Sequence, residues 1–290
     1  MTIGVYGRQF DTRFAKPIEL FLSSLSANGF DLRIHGDFVQ FLSQTINLDS
    51  SLPTFESFED VENMSFVISI GGDGTILNTV TFIKDSGVPI LGINAGRLGF
   101  LSNVSLDAIE LTIQCLLKRE YTIDKRSLIH VEGITEEDHC PFALNEVTVH
   151  KKDTSNMITV KAWVDGVYMN SYWADGLIIS TPTGSTAYSL SCGGPIVMPG
   201  SDNVILTPIA PHNLNVRPVV IPSESVVQLE AQTRDQEILL TLDSRSYSLP
   251  NGSKIILRKA DFQINLISLP NQDFFSTIRS KMMWGIDKRN

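Results

Sequence analysis

In the stretch Ser65 to Asn78, SFVISIGGDGTILN, an apolar run passes through Gly71-Gly72-Asp73-Gly74-Thr75 and straight into a helical pattern. Glycines let a backbone approach a ligand closely and turn sharply, and the free N–H groups that open the next helix attract an anion such as a diphosphate. A carboxylate in that position repels phosphate unless Asp73 holds a divalent cation or accepts the proton of an attacking hydroxyl. Both roles belong to phosphoryl transfer. The structural alternative is a glycine turn in which Asp73 only caps the helix.

A second concentration is Asp175 to Val197, DGLIISTPTGSTAYSLSCGGPIV, where Thr181, Thr183, Ser185, Thr186, Tyr188 and Ser189 crowd a turn beside Gly184. Neutral donors and acceptors of this kind suit sugar hydroxyls, a carboxamide and phosphate oxygens, and Tyr188 can stack on or edge a ring. The alternative is a polar loop that satisfies its own backbone. Asp175 is placed to bind an amide or a cation. Asn145 and Glu146 lie next to each other on a strand, so one of them points inward; Glu146 faces either a polar ligand or, on an edge strand, solvent.

Other reactive residue types carry less. His130, His139, Cys140 and His150 match no zinc spacing, so no metal held directly by side chains is expected. Cys192 has no histidine near it in sequence and does not read as a nucleophile. The basic stretch Lys118 to Arg126 reads as a solvated helix end and linker, with Lys118 and Arg119 complementing the helix dipole. Walker A, GxGxxG, GxSxG and HExxH motifs are all missing, which leaves P-loop NTPases, simple Rossmann dehydrogenases, α/β-hydrolases and zincins without support.

These segments need elements to hold them. Over the first hundred residues short apolar runs alternate with helical patterns: strands at Ile3 to Tyr6, Phe30 to Ile34, Phe66 to Ile70 and Val88 to Ile93, and helices carrying Ile18, Phe21, Leu22 and Leu25, then Thr75 to about Asp85. Such alternation implies a mostly parallel sheet with helices on its faces. Leu48 to Asn63 reads as a loop. After one more helix, with Leu106, Ile109, Ile113 and Leu117 in step, about 150 residues read almost wholly as strands, among them Ile255 to Leu257 and Phe262 to Ile267. Asp165-Gly166 marks a two-residue hairpin. Past Pro270 the pattern Phe274, Phe275, Ile278, Met282 is an amphipathic helix, expected to return to the first domain. The chain therefore divides into an α/β domain, 1–102 plus 271–290, and a β-rich, sandwich-like domain, 103–270.

The 290 residues carry 23 Lys and Arg against 32 Asp and Glu, a net charge of -9. That balance argues against a nucleic-acid footprint or a basic membrane-binding surface. Three cysteines at wide spacing suit a reducing compartment, and no stretch of about 18 apolar residues occurs. A cytoplasmic protein is expected.

Together, Gly71 to Thr75, Gly96-Arg97-Leu98-Gly99-Phe100-Leu101, Asn145-Glu146, the Asp175 to Val197 block, Ala210 to Pro222 and Leu242-Asp243-Ser244 resemble the NAD kinase family across most of the chain. The GGDGT run also occurs in diacylglycerol and sphingosine kinases; the Asp175 block separates them. The resemblance implies a kinase that moves the γ-phosphoryl group of ATP, with Mg²⁺, to the 2′-hydroxyl of the adenosine ribose of NAD, makes NADP, and commonly forms a homotetramer. It implies Asp73 as proton acceptor and Gly71, Gly72 and Thr75 as the phosphate-binding turn. NAD would lie between the domains against Asp73, Gly74, Asn145, Glu146, Asp175, Thr183, Thr186, Ala187, Tyr188, Ser189, Leu190 and Ser191, with Phe100 as an apolar wall for a base. Thr81 and Trp173 stand where relatives place arginines, and Arg97, Arg217 or Arg245 are the candidates to restore that charge. A lipid kinase or a non-catalytic NAD or NADP sensor are the competing functions; the acidic chain disfavours the first.

Overall fold

The computed structural model describes residues 1–48, 51–96, 99–132, 140–152 and 156–284. Arg97, Leu98, His139 and the acidic loop at 135–138 fall outside them. The chain forms two compact units, Met1–Lys125 with Ile264–Asn290, and Arg126–Gln263.

The first unit runs β1 (Thr2–Gly7), α1 (Ala15–Ala27), β2 (Asp31–His35), α2 (Gly36–Thr45), β3 (Thr54–Phe55), α3 (Phe58–Val61), β4 (Phe66–Gly71), α4 (Asp73–Ile83), β5 (Ile90–Asn94), β6 (Val104–Ser105) and α5 (Ile109–Lys118). Its strands pair in parallel in the order β3-β2-β1-β4-β5. Ile3, Val5, Ile68 and Ile70 are fully buried, as strands covered on both faces require. The sheet grows from β1 in both directions, which puts its switch point between β1 and β4, where open α/β sheets bind ligands. On α1 the residues Ile18, Phe21, Leu22 and Leu25 all join the core, with Ile113, Cys115 and Leu116 of α5.

The second unit contains most of β7 (Thr122–Glu132), then β8 (Phe142–Ala143), β9 (Glu146–Lys151), β10 (Ile158–Val164), β11 (Val167–Ala174), β12 (Gly176–Ser180), the single turn α6 (Tyr188–Ser191), β13 (Asn203–Ile209), β14 (Val219–Pro222), β15 (Val227–Gln232), β16 (Glu237–Leu242), β17 (Arg245–Pro250) and most of β18 (Lys254–Ser268). One antiparallel sheet has the order β14-β13-β12-β9-β16-β17; a second joins β11, β10, β15 and β18, with β7 beside β18 and β8 beside β7. Inward residues of both sheets share one core, including Val147, Leu177, Leu206 and Leu240 from the first and Val160, Tyr172, Leu229 and Leu257 from the second. This is a sandwich. Asp165 and Gly166 both have positive φ, 51° and 78°, at the hairpin between β10 and β11.

The last residues of β18 belong to the first unit, where Leu266 pairs in parallel with Ile90 of β5. α7 (Phe274–Met282) follows, with Asp273 accepting from Ser276 N at its N-cap, and it lies in the first unit as the α/β-plus-sandwich reading requires. Several boundaries differ from the sequence reading. The division falls at 125/126 and 263/264, not at 102/103 and 270/271, because α5 is packed into the first core. Ile255–Leu257 and Phe262–Ile267 are one strand of 15 residues. The stretch read as a loop holds β3 and α3, the latter closed by a capping box from Ser57 and Asp60. In the stretch Lys118 to Arg126 the helix end is solvated, with Lys118, Arg119 and Glu120 exposed, but the rest enters β7 and is no linker, and Arg126 is 8% exposed.

Candidate functional site

β4 ends at Gly71, whose φ of 156° and whose contact with Thr75 leave no room for a Cβ, which would overlap Thr75 Oγ1. Gly72 is the N-cap of α4, with no side chain bonded to its first turn. The open N–H groups of that turn form an anion seat. Asp73 is the first helical residue, so it is not the N-cap. Its Oδ2 accepts from Phe100 N at 2.8 Å, and its Oδ1 from Leu101 N and Ser102 N, both at 3.0 Å. Gly99 is required beside it, since a Cβ there would overlap the carboxylate. Ser102 Oγ donates to Gly71 O at 2.9 Å and ties the two turns together. Of about four lone-pair directions on a carboxylate, three are used, and the remaining one is on Oδ2.

A cation comes from the far end of the chain. Lys281 Nζ on α7 lies 3.7 Å from Asp73 Oδ2 and 4.4 Å from the centre of the Phe100 ring. Phe100 also faces Phe274 at 6.3 Å, so α7 and the Gly99–Ser102 turn are held by a shared aromatic contact. Lys281 gave no local sequence signal; only the amphipathic pattern of α7 pointed to the helix that carries it. Of the arginines considered for this charge, Arg97 lies outside the described residues, Arg217 donates to Leu214 O and Val216 O, and Arg245 donates to Cys140 O and Phe142 O. Thr81 bonds back to Asn78 O, and Trp173 packs against His212 with rings 4.2 Å apart.

In the second unit Asp243, at positive φ in the turn after β16, receives the N–H groups of Leu144, Asn145 and Glu146 at 2.9, 2.8 and 3.2 Å. This carboxylate fixes the backbone of the Asn145-Glu146 pair. Burial pushes the Asp243 carboxyl up, while those three N–H groups and Arg245 oppose the shift. β9 is central in its sheet, between β12 and β16, so the edge-strand reading of Glu146 fails. Glu146 is pushed up to about 8, first by burial and then by Asp243, against a bond from the Tyr188 backbone. Its Oε2 is buried without a partner. A neutral carboxylic acid with an unmatched oxygen is a group waiting for a ligand.

The hydroxyl-rich loop divides in two. Thr181 Oγ1 donates to Leu144 O at 2.6 Å and accepts from Gly184 N; Ser185 Oγ holds Pro182 O and Val197; Ser189 Oγ is paired with Thr207 Oγ1 at 2.8 Å. Those three hydroxyls build the loop, as the self-satisfied reading anticipates. Gly184 is pressed onto the Asn145 carbonyl, with no room for a Cβ. Thr183 accepts from the buried Arg126 at 3.2 Å, a residue that sequence reasoning treated as solvated. Thr186, Ala187 and Leu190 are half-buried, and Tyr188 and Ser191 are exposed. Asp175 is paired with Lys151 at 2.6 Å. Among the described residues no three His, Cys, Asp or Glu side chains gather as a metal site, and His150 is bonded to Lys151 O and Thr241 Oγ1.

Matches to known proteins span the segments that carry both halves of this arrangement. The ATP-NAD kinase N-terminal domain model matches residues 40–121 and the ATP-NAD kinase C-terminal domain model residues 144–269. The chain is 44% identical to an NAD kinase of Flavobacterium psychrophilum and 38% identical to one of Bacteroides fragilis, over the whole of each chain. Among solved structures, an NAD kinase from Archaeoglobus fulgidus in complex with ATP superposes with a TM-score of 0.76 at 27% identity, covering 97% of this chain and 99% of that one. Yeast NADH kinase complexed with NADH shares the fold, with a TM-score of 0.86 at 23% identity over 99% of this chain and 89% of that one. The glycine turn around Asp73 and the Asp243-braced pair Asn145-Glu146 each lie in a segment of this match or at its margin, and the chain belongs to the NAD kinase family.

Proposed function

We infer that the chain transfers the γ-phosphoryl group of ATP to the 2′-hydroxyl of the adenosine ribose of NAD and releases NADP. The observation that carries this reading is the fixed Asp73 carboxylate beside an uncapped helix N-terminus: a proton acceptor and an anion seat in one turn. Gly71, Gly72 and Thr75 hold phosphate, and the spare lone pair of Asp73 Oδ2 takes the hydroxyl proton. Phosphoryl transfer is loose and places little charge on the attacking oxygen, so a weak carboxylate base suffices. Three backbone N–H groups hold that base in place, which favours reaction through positioning. Lys281 adds positive charge where the transferred group gathers negative charge.

NAD recognition is assigned to Gly74, Asn145, Glu146, Asp175, Thr183, Thr186, Ala187, Tyr188, Ser189, Leu190 and Ser191, with Phe100 as the wall for a base. Neutral Glu146 is able to donate from Oε2 to a ligand acceptor. Ser189 acts through its backbone, since its hydroxyl is spent on Thr207. The donor set gives Mg²⁺ no cradle of carboxylates, because both Asp73 oxygens accept N–H groups; the cation fits as part of the Mg²⁺–ATP complex, held by phosphate oxygens and water. There it neutralises phosphate charge.

The same reading includes a homotetramer in the cytoplasm without nucleic-acid or membrane partners. Exposed Val167, Tyr168 and Trp173 on β11, and Leu214, Val219 and Val220 on and before β14, are the apolar surface that would support self-association. No helix among the described residues is long and apolar enough to cross a membrane. The test is NADP formation by purified protein given NAD, Mg²⁺ and ATP, read with an NADP-specific dehydrogenase. NADP accumulation with time is expected; nucleotide binding without any NADP would instead support the sensor.

A further inference from the structure

On β7, Arg126 and Leu128 turn to one face, and Ile129 and Val131 turn to the other, into the sandwich core. A guanidinium stays charged, so burying one is costly unless its N–H groups are put to specific use. Arg126 Nη1 donates to Thr183 Oγ1 at 3.2 Å, in the hydroxyl-rich loop. We propose that Arg126 is a positioning residue for NAD recognition: it fixes the Thr183 hydroxyl so that the O–H proton points to an acceptor atom on the adenosine part of NAD. This inference rests on the kinase reading and adds to it a residue that does not itself touch the substrate.

The direction of the bond carries the argument. Arginine can only donate, so Thr183 Oγ1 accepts, and the hydroxyl proton must go elsewhere. Among the described residues nothing accepts it, and Thr183 is only 5% exposed, so bulk water is a poor partner too. The Ser189–Thr207 pair is different, since either hydroxyl there can be the donor. Thr183 is also the N-cap of the short turn Gly184–Thr186, where a threonine oxygen ordinarily accepts from the turn's own backbone; that bond is not made. The guanidinium takes its place.

Bracing the loop does not require this contact. Thr181 N donates to Asn145 O at 2.9 Å, Thr181 Oγ1 to Leu144 O at 2.6 Å, Ser185 Oγ to Pro182 O at 2.7 Å, and Val197 N to Ser185 Oγ at 3.0 Å. Thr186 Oγ1 donates to Thr183 O at 3.3 Å and ties that residue's backbone as well. What Arg126 adds is the orientation of one side chain. A hydroxyl that accepts from a cation is also polarised into a stronger donor, which suits a neutral lone pair on a base or sugar.

Calorimetry with NAD on Arg126→Met, Thr183→Val and the double variant, each checked for native circular dichroism, forms a closed cycle. Each single variant should raise Kd for NAD about three- to tenfold, the size of one hydrogen bond, and the double variant should cost no more than Thr183→Val alone. In steady-state kinetics KM for NAD should rise by that factor while kcat and KM for ATP stay within about twofold, because the lost contact is uniform binding. Arg126→Lys keeps a donor on a shorter reach; it should raise Kd about two- to threefold beside Thr183 and leave it unchanged beside Val at that position, a comparison that holds even where Arg126→Met does not fold. Costs that multiply in the double variants, or a Thr183→Val protein with unaltered affinity for NAD, would overturn the proposal. Binding is read without turnover, so a protein that makes no NADP would sink the kinase reading while the cycle still judges Arg126.

Discussion

At the scale of single residues the two carboxylates Asp73 and Glu146 sit in opposite environments. Asp73 is bonded by three N–H groups, whereas Glu146 is buried with one oxygen unmatched. Glu146 has a pH consequence that can be signed. Its proton is held up to about 8 in the folded protein against an ordinary value of 4.5, so the folded state binds more protons between those limits. Its contribution to stability is full below about 4.5 and is lost as pH rises through 8. Urea midpoints measured from pH 5 to 9 should fall with pH, and Glu146→Gln should flatten that slope. Lys281 is a second test. Lys281→Met should lower kcat about ten- to hundredfold, no more than the loss of one enclosed oxyanion donor, while Lys281→Arg retains most activity; initial rates at saturating NAD check this. Sequence pattern could not pair Lys281 with Asp73, because no local period links residues so far apart.

At the scale of elements, the strand-to-helix turns were legible and the roles inside them less so. Gly71 to Thr75 stood out because three glycines between an apolar run and a helical pattern have few other uses. The hydroxyls of Asp175 to Val197 look alike in sequence, yet Thr181, Ser185 and Ser189 brace the loop, Thr183 accepts from Arg126 and Thr186 bonds back to Thr183 O, and only the folded structure separates these uses. Arg126 was misread because a basic run is usually solvated, whereas here alternation along β7 turns it inward. α2 was not legible either: it buries only Phe38 and Leu42, too few for a clear stripe. β18 looked like two strands because Lys259 and Asp261 interrupt its apolar pattern. Two close approaches give predictions. Gly184→Ala would force a methyl onto the Asn145 carbonyl, and should cost about 1–3 kcal/mol in denaturant unfolding and weaken NAD binding together. Gly99→Ala should displace the Asp73 carboxylate and lower kcat, and because Gly99, Leu101 and Ser102 are buried the melting temperature should fall with it.

At the scale of the whole chain, composition and topology agree. The parallel sheet β3-β2-β1-β4-β5 and the antiparallel sandwich correspond to the change from alternating helix and strand patterns to strands alone. A net charge of -9 on a protein that binds polyanions means that favourable charge must be local, which gives Lys281 its importance. Light scattering should return a mass near four times the 32.1 kDa of one chain, and Tyr168→Asp with Val220→Asp should lower it. The central claim, that Asp73 takes the proton of the attacking hydroxyl, is reached most directly by comparing NADP formation in the unaltered protein and in Asp73→Asn, which keeps size and removes the base. A fall in kcat of about 10²–10⁴ in a folded variant that still binds NAD is the expected result. An Asp73→Asn protein that turns over NAD at the unaltered rate would contradict it.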